Sequence, residues 1–319
     1  MKRLSLSLKL TAASLAIIFL LASVLVWRSY AGISQLSHSL ETTTEQNLSA
    51  AIQARLHAEA QAYGEQMAGY LNSAFRISSL LEGVIEDSLT NQGTALTRDE
   101  LNGLIGSVIR SNPDLSSAYA YFEPNGYDGL DDFYKDAQQL HSRNYRGNFD
   151  SYWRRTQDGQ VVQEAVDVDE KYLDAKNEFG QRESEWYLCA QDTKQPCVME
   201  PFAYSLGQET IVLTTLNAPL LVNNQFRGIA GVDIELQNFQ RLTEQLSQAL
   251  YGGEAKATLL SAQGLIVGSS HFQSQQLRPL TAAMPNRGEQ LSQLHKQQKY
   301  FEDETNIYLA QPLTIEKAK

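Results

Sequence analysis

The sequence predicts an α+β fold, in which a long N-terminal helix leads into two antiparallel-sheet modules, one large and one small. Three observations carry that prediction. Apolar residues recur every three or four positions from Ile33 to Phe75, and no proline interrupts the chain between Ala31 and Ser111. After Ser111 the texture changes to short runs rich in Val, Ile, Thr and aromatics, broken by Asn-Gly, Asp-Gly and Asn-Asn turns. A helical stretch, Asn238 to Leu250, then divides these runs from a second and shorter set.

The first element is a membrane helix. Lys2, Arg3 and Lys9 precede an uncharged stretch from Leu10 to Trp27, which is about long enough to cross a hydrocarbon core. Trp27-Arg28-Ser29-Tyr30 follows as an interfacial anchor. Basic residues on the N-terminal side assign residues 1–9 to the cytoplasm, 10–27 to the inner membrane and the rest to a bacterial periplasm. A cleaved signal peptide is the alternative, but no small-x-small site followed by a polar start stands after the apolar run.

Residues 28–78 read as a stalk helix. Ile33, Leu36, Leu40, Leu48, Ile52, Leu56, Ala60, Tyr63, Met67, Leu71 and Phe75 form its stripe. A stripe this long exceeds what one small domain covers, which predicts a homodimer through this helix, with part of the stripe kept for the domain itself.

Residues 79–236 hold the larger module. "SSAYAYFEPNG", "QVVQEAV", "CVMEPFAYS", "ETIVLTTLNAPLLV" and "FRGIAGVDIEL" are its strand candidates, the last two paired through a turn at Asn223-Asn224. Residues 237–319 hold a connecting helix, which Asn238 is expected to cap, and the smaller module. In that module "KATLLSAQGLIVGSS" turns at Gly264 and "NIYLAQPLTI" adds a strand.

Composition narrows the function by exclusion. A net charge of −11 without a basic patch argues against nucleic acid. No phosphate-binding loop, dinucleotide fingerprint, nucleophile elbow or zinc-protease helix occurs. The five histidines are scattered without carboxylate or Cys partners at short spacing, so no metal, cofactor or enzymatic chemistry is expected.

Cys189 and Cys197, the only cysteines, enclose the turn-rich "AQDTKQP". In an oxidising compartment a disulfide is expected, clipping a hairpin-like turn, with two buried thiols as the alternative. A small loop of this kind contributes roughly 2–3 kcal/mol in the chain-entropy model.

The order of these elements resembles the double Cache sensor domains of bacterial chemoreceptors, sensor kinases and cyclic-dinucleotide enzymes, which pair a membrane-distal with a membrane-proximal PAS-like module. The resemblance is carried by Tyr121-Phe122-Glu123-Pro124-Asn125, by Tyr152-Trp153, and by the segment from Trp186-Tyr187 to "GVDIEL". It implies ligand binding in the distal module and transmission through the proximal one. The "WYLC…PC…EPF" texture is most similar to methyl-accepting chemotaxis proteins, although a histidine kinase or diguanylate cyclase shares the fold. The output, and with it any cytoplasmic signalling partner, is expected beyond Lys319.

Amino-acid-sensing members of that family surround their ligand with a Tyr, an Arg two positions before a Trp-Tyr pair, and a later Asp. Here Trp186, Tyr187 and Asp233 match, whereas Ser184 stands in the Arg position and Phe179 in the Tyr position. Without the guanidinium fork a ligand carboxylate loses its partner, unless Arg182, Arg154 or Arg155 replaces it. The retained groups favour a cation, such as a polyamine or quaternary ammonium compound. Asp233 would supply charge, with Glu183 and Glu185 flanking the aromatic pair and Asp167, Asp169 and Glu170 on the approach. Trp153, Trp186, Tyr187, Tyr121 and Tyr204 would supply ring faces. Trp153 and Trp186 read equally well as core, and Glu183 and Glu185 as solvated loop charges. Asp233 differs, because an acid inside an apolar strand needs a buried partner.

Overall fold

The computed structural model describes residues 6–91, 95–177, 180–206, 209–294, 300–302 and 306–315. They fall into two units, residues 1–58 and 59–319. The first helix, α1, is Leu6–Thr90. In the first unit its large apolar side chains from Leu15 to Leu48 are exposed. Its most apolar 18-residue window has a mean hydropathy of 1.8, enough in length and composition to cross a membrane.

The second unit opens on the last turns of α1, where Leu71, Phe75, Leu81 and Ile85 are buried. This core therefore takes its first helix from residues up to Thr90, beyond the Phe75 at which the sequence stripe ends. Helix α2, Arg98–Ser111, starts at a capping box: Thr97 N–H donates to Glu100 Oε2 at 2.8 Å, and Glu100 N–H donates to Thr97 Oγ1 at 3.3 Å. Its residues Leu101, Ile105 and Ile109, each one turn apart, are fully buried.

Next come β1, Ser117–Phe122; α3, Asp131–Tyr134; β2, Asp150–Arg155; and β3, Val161–Glu164. Helix α4, Glu185–Thr193, precedes β4, Cys197–Val198; β5, Phe202–Leu206; β6, Glu209–Val222; and β7, Gln225–Glu235. These strands form one antiparallel sheet in the order β3-β2-β1-β7-β6-β4, with β5 also paired to β6. β6 and β7 make the expected hairpin, and Asn223 and Asn224 both take the positive φ its turn requires.

Alternation assigns the two sheet faces different work. Ala118, Ala120 and Phe122 of β1, Leu216 and Leu220 of β6, and Ala230, Val232 and Ile234 of β7 join the α1 and α2 side chains in one core. Tyr119, Tyr121, Tyr152 and Ile229 face the other way and pack with Tyr187 and Leu188 of α4. One face is aliphatic and closed by helices; the other is aromatic.

Helix α5, Leu236–Ala249, follows β7 directly and leads to β8, Thr258–Leu260, and β9, Ile266–Ser269. Then come α6, Leu280–Ala283; α7, Gly288–Ser292; β10, Tyr300–Glu302; and β11, Ile307–Leu309. Asn238 does not cap α5. The helix starts two residues earlier, and Asn238 Nδ2 donates instead to the Tyr70 hydroxyl at 2.8 Å, joining α5 to α1. Gln240 binds α5 to β9 from both ends of its amide, with Nε2 on the Ser269 carbonyl at 2.8 Å and Oε1 accepting the Ser269 N–H at 2.9 Å.

The Cys189–Cys197 disulfide is present, with Cα atoms 6.4 Å apart. It does not clip a hairpin turn. "AQDT" continues α4, Lys194 ends the helix in the left-handed region, and the bridge joins helix α4 to strand β4. Turn-forming residue types misled the sequence reading here, because Asp192 is held by Arg182 at 2.7 Å rather than in a turn.

Candidate functional site

The aromatic face of the sheet encloses a cleft lined by Tyr119, Tyr121, Tyr152, Glu170, Trp186 and Asp233, with Phe202, Tyr204, Leu213 and Thr215 completing its wall. Strand alternation explains the lining: Tyr119 and Tyr121 stand two apart on β1, and Tyr119 is registered against Tyr152 of β2 and Gly231 of β7. Gly231 is required there, because a Cβ at that position would collide with the Tyr119 hydroxyl and ring. The Tyr121 and Trp186 ring centroids are 5.0 Å apart and those of Tyr119 and Tyr121 are 5.3 Å apart. The free space within the cleft is about 30 Å³.

Asp233 is buried at one end of this cleft. Its Oδ1 accepts from Thr215 Oγ1 at 2.5 Å and its Oδ2 from Ser117 Oγ. No described cation lies within ion-pair distance of it. Burial raises its pKa to about 6, against the lowering effect of the two hydroxyl donors. The Tyr119 hydroxyl and Asn217 Oδ1 are buried nearby without a hydrogen-bond partner. Two unsatisfied polar atoms beside an unpaired carboxylate describe a site that is short of hydrogen-bonding partners.

Beneath the cleft lies a second polar layer that is fully paired. Lys171 Nζ, 1% exposed, binds Asp150 Oδ1 at 3.0 Å and the Phe122 carbonyl at 2.5 Å. Burial raises the Asp150 pKa to about 6, with Lys171 opposing. Tyr187 is fully buried and donates to Glu123 Oε1 at 2.6 Å, where Gln191 Nε2 also binds at 3.0 Å. These groups support α4 from below.

The structure brings together Asp233, Trp186, Tyr121, Tyr204 and Glu170 among the residues singled out from the sequence. Tyr187 packs under the cleft instead of lining it. Trp153 sits on the opposite sheet face, where its Nε1 donates to Asn102 Oδ1 at 3.0 Å and its ring touches α2 at Gly106. Asp169 is held by Arg146 at 2.6 Å, and Glu185 by Arg182 at 2.5 Å. Phe179 lies outside the described residues. Arg182 also binds Asp192, and Arg154 binds Glu164 at 2.7 Å, so both guanidinium groups already hold carboxylates. The Arg155 guanidinium binds the Ile109 carbonyl at 2.7 Å. Tyr119, Tyr152 and Thr215 also line the cleft. The first two were signalled by the Tyr-x-Tyr alternation of β1 and by the register of β2 against it.

A second depression, lined by Tyr63, Arg241, Glu244, Gln245 and Gln248, is wide open and bordered by solvated polar side chains. Nothing in it converges on a ligand.

Residues 101–241 match the family of methyl-accepting chemotaxis protein-like first PDC sensor domains. The methyl-accepting chemotaxis protein TlpQ of Pseudomonas aeruginosa is 27% identical over 98% of this chain, which spans 45% of that protein's length. Two solved structures share the fold. The extracellular domain of mmHK1S-Z3, a histidine kinase by its name, has a TM-score of 0.58 at 19% identity, covering 76% of this chain and 79% of its own. The periplasmic sensory domain of the Campylobacter jejuni chemoreceptor Tlp1 has a TM-score of 0.57 at 14% identity, covering 78% and 83%. The aromatic-faced sheet thus lies within the residues that match a first PDC sensor domain of the methyl-accepting chemotaxis protein-like family, and the fold is that of the two solved sensor domains.

Proposed function

We propose that this chain is the ligand-sensing part of a transmembrane chemoreceptor, anchored in the inner membrane with its sensor in the periplasm, and that its distal module, residues 79–236, binds a cationic amine. One observation carries the ligand class: Asp233 is a buried carboxylate without a described cation, in an aromatic cleft whose lining contains no Lys or Arg. A bound ammonium would replace the missing countercharge, and the surrounding rings add cation–π attraction. An α-amino acid brings a carboxylate into the same cleft, and the three arginines that would receive it are engaged elsewhere.

The site adjoins the route to the proximal module, residues 237–319. Asp233 stands three residues before Leu236, the first residue of α5, and α5 is tied to β9 through Gln240. Charge neutralisation at Asp233 would therefore act next to the connecting helix. The sensor half of a histidine kinase would use the same arrangement, since the output lies in another part of such proteins.

The test is calorimetric titration of the chain in lipid nanodiscs with primary amines, quaternary ammonium ions and amino acids. Amines should bind and amino acids should not. Binding of amino acids alone would reverse the assignment.

A further inference from the structure

We infer that the Glu200 carboxylate is a strut between the β1–β7 sheet and the β8–β9 hairpin, and that displacement of the cleft wall reaches the hairpin through it. This inference goes beyond the ligand reading and holds whatever the cleft binds.

The cleft has about 30 Å³ of free space, room for little more than water, so any larger occupant must displace its wall. Glu200 lies where two parts of that wall join. On its N-terminal side Cys197 is bonded to Cys189 of α4, the helix that carries Trp186. On its C-terminal side Phe202, the first residue of β5, lines the cleft itself. Little slack separates Glu200 from either part. Met199 N–H donates to the Thr215 carbonyl at 2.9 Å, and Thr214 Oγ1 donates to the Met199 carbonyl at 2.6 Å. The ring of Pro201 fixes the next φ.

From this anchored backbone the side chain reaches out of the sheet. Glu200 Oε1 accepts the Gln263 N–H at 3.0 Å, across 63 residues of chain. Gln263 belongs to the tight turn between β8 and β9, where Gly264 takes a φ of 81° and its N–H donates to the Ser261 carbonyl at 3.0 Å. The Gly264 carbonyl accepts the Leu280 N–H at 3.0 Å, so the start of α6 is tied to the same turn.

The other end of β9 is held by α5. Gln240 binds Ser269 through both ends of its amide, and Gly268 packs against the backbone of Phe239 and Gln240 so closely that a Cβ would meet it at 3.0 Å. The hairpin is thus attached to the sheet at two points. One follows β7 and α5, and the other follows the wall that carries Trp186 and Phe202. A movement of the wall that leaves β7 in place shifts one end of β9 against the other.

The contact is one that a small movement alters. Glu200 Oε2 is buried without a described partner, so the carboxylate holds the turn through a single oxygen. Breaking that bond strands a second buried acceptor atom, whereas bringing a donor to Oε2 satisfies one.

The test is hydrogen exchange at the Ser261 and Leu265 amides of the full chain in lipid nanodiscs, with β11 as the reference. Replacing Cys189 and Cys197 by alanine frees the wall, and exchange at both amides should rise about tenfold. In the Glu200→Ala chain the same replacement should add less than about twofold, because wall and hairpin are already uncoupled. Glu200→Gln keeps an acceptor for the Gln263 N–H and should restore the response. Exchange in β11 should stay within about twofold of the parent in every variant, which separates loss of the strut from loss of the fold. An equal rise with and without the Glu200 side chain, no rise at all, or an equal rise in β11 overturns the strut. None of these outcomes bears on the amine reading, since no ligand enters the measurement.

Discussion

Asp233 and Tyr119 meet in the cleft, each short of a partner there. The carboxylate has no described cation, and the phenol hydroxyl has no hydrogen-bond partner even though Thr215 and Asn217 stand beside it. A protonated amine supplies both, as a positive charge for Asp233 and a donor for the Tyr119 oxygen. Asp233→Ala should weaken amine binding tenfold or more, on the order of 2–5 kcal/mol, because the ligand's ammonium would be buried alone. The unliganded chain should keep its fold, since the substitution also removes an uncompensated charge. Calorimetry and thermal melting of the same preparation separate the two effects.

Protonation of Asp233 sets the pH response. Its pKa rises from 3.8 to about 6 on folding, so between these values the folded state holds a proton that the unfolded chain has released. Stability contributed by this group is therefore present below pH 3.8 and is lost as pH rises toward 6, by at most about 1.4 kcal/mol per unit. Amine affinity moves the opposite way, because the ammonium requires the ionised carboxylate. Affinity should be level above pH 6 and fall by up to about tenfold per unit below it. Asp233→Asn should flatten the melting profile between pH 4 and 6. An unchanged slope in that variant assigns the effect to another group, of which Asp150 is the first to examine.

Much of the fold was legible because its signals are periodic. The β6–β7 hairpin follows from two apolar runs around Asn223-Asn224, and Asp233 stands out as a charge within an apolar strand. The cleft lining was less legible, because facing depends on register. Tyr152 and Trp153 are adjacent, so only one can face the cleft, and the pairing of Tyr152 with Tyr119 decides which. Asp169 and Glu170 pose the same problem on an irregular turn that has no period to read. The polar sequence between the cysteines resembles a turn, yet Ala190 is fully buried and most of the segment remains helical.

Two of the three tryptophans, Trp153 and Trp186, should respond oppositely to truncation. Trp186 borders the cleft and packs 5.0 Å from the Tyr121 ring, so Trp186→Ala should weaken amine binding about tenfold with a modest effect on stability. Trp153 packs on Gly106 of α2 and is bonded to Asn102, so Trp153→Ala should cost about 3–5 kcal/mol of stability. The folded fraction of that variant should bind amine with parental affinity. Equal losses of affinity in both variants would contradict the assignment of opposite sheet faces.

The disulfide anchors the helix that carries Trp186. Cys189 lies one turn after Trp186 on α4, and Cys197 pairs with Asn217 on β6. Asn217 Nδ2 in turn donates to the Trp186 carbonyl, closing a loop of contacts around one cleft wall. Replacing both cysteines by alanine should lower stability by about 2–3 kcal/mol. It should also weaken amine binding several-fold, because the wall must then be ordered on binding. Mass spectrometry of exported protein under non-reducing conditions should find no alkylatable thiol.

Assembly is testable along the first helix. Ile33, Leu36 and Leu40 are each about 60% exposed or more, and their three- and four-residue spacing puts them on one helical face. Exposed apolar residues at this spacing, outside the hydrocarbon stretch of residues 10–27, are covered most simply by the same face of a second copy. Single cysteines introduced at Ile33, Leu36 and Leu40 should form intersubunit crosslinks in membranes. Cysteines at Gln35 or His38, which the helical period places on the opposite face, should crosslink far less. On the proposed membrane anchoring, which would confine both copies, crosslinking should fall sharply in dilute detergent solution. Uniform crosslinking at all five positions would indicate random collision in the bilayer and would remove the case for a specific dimer.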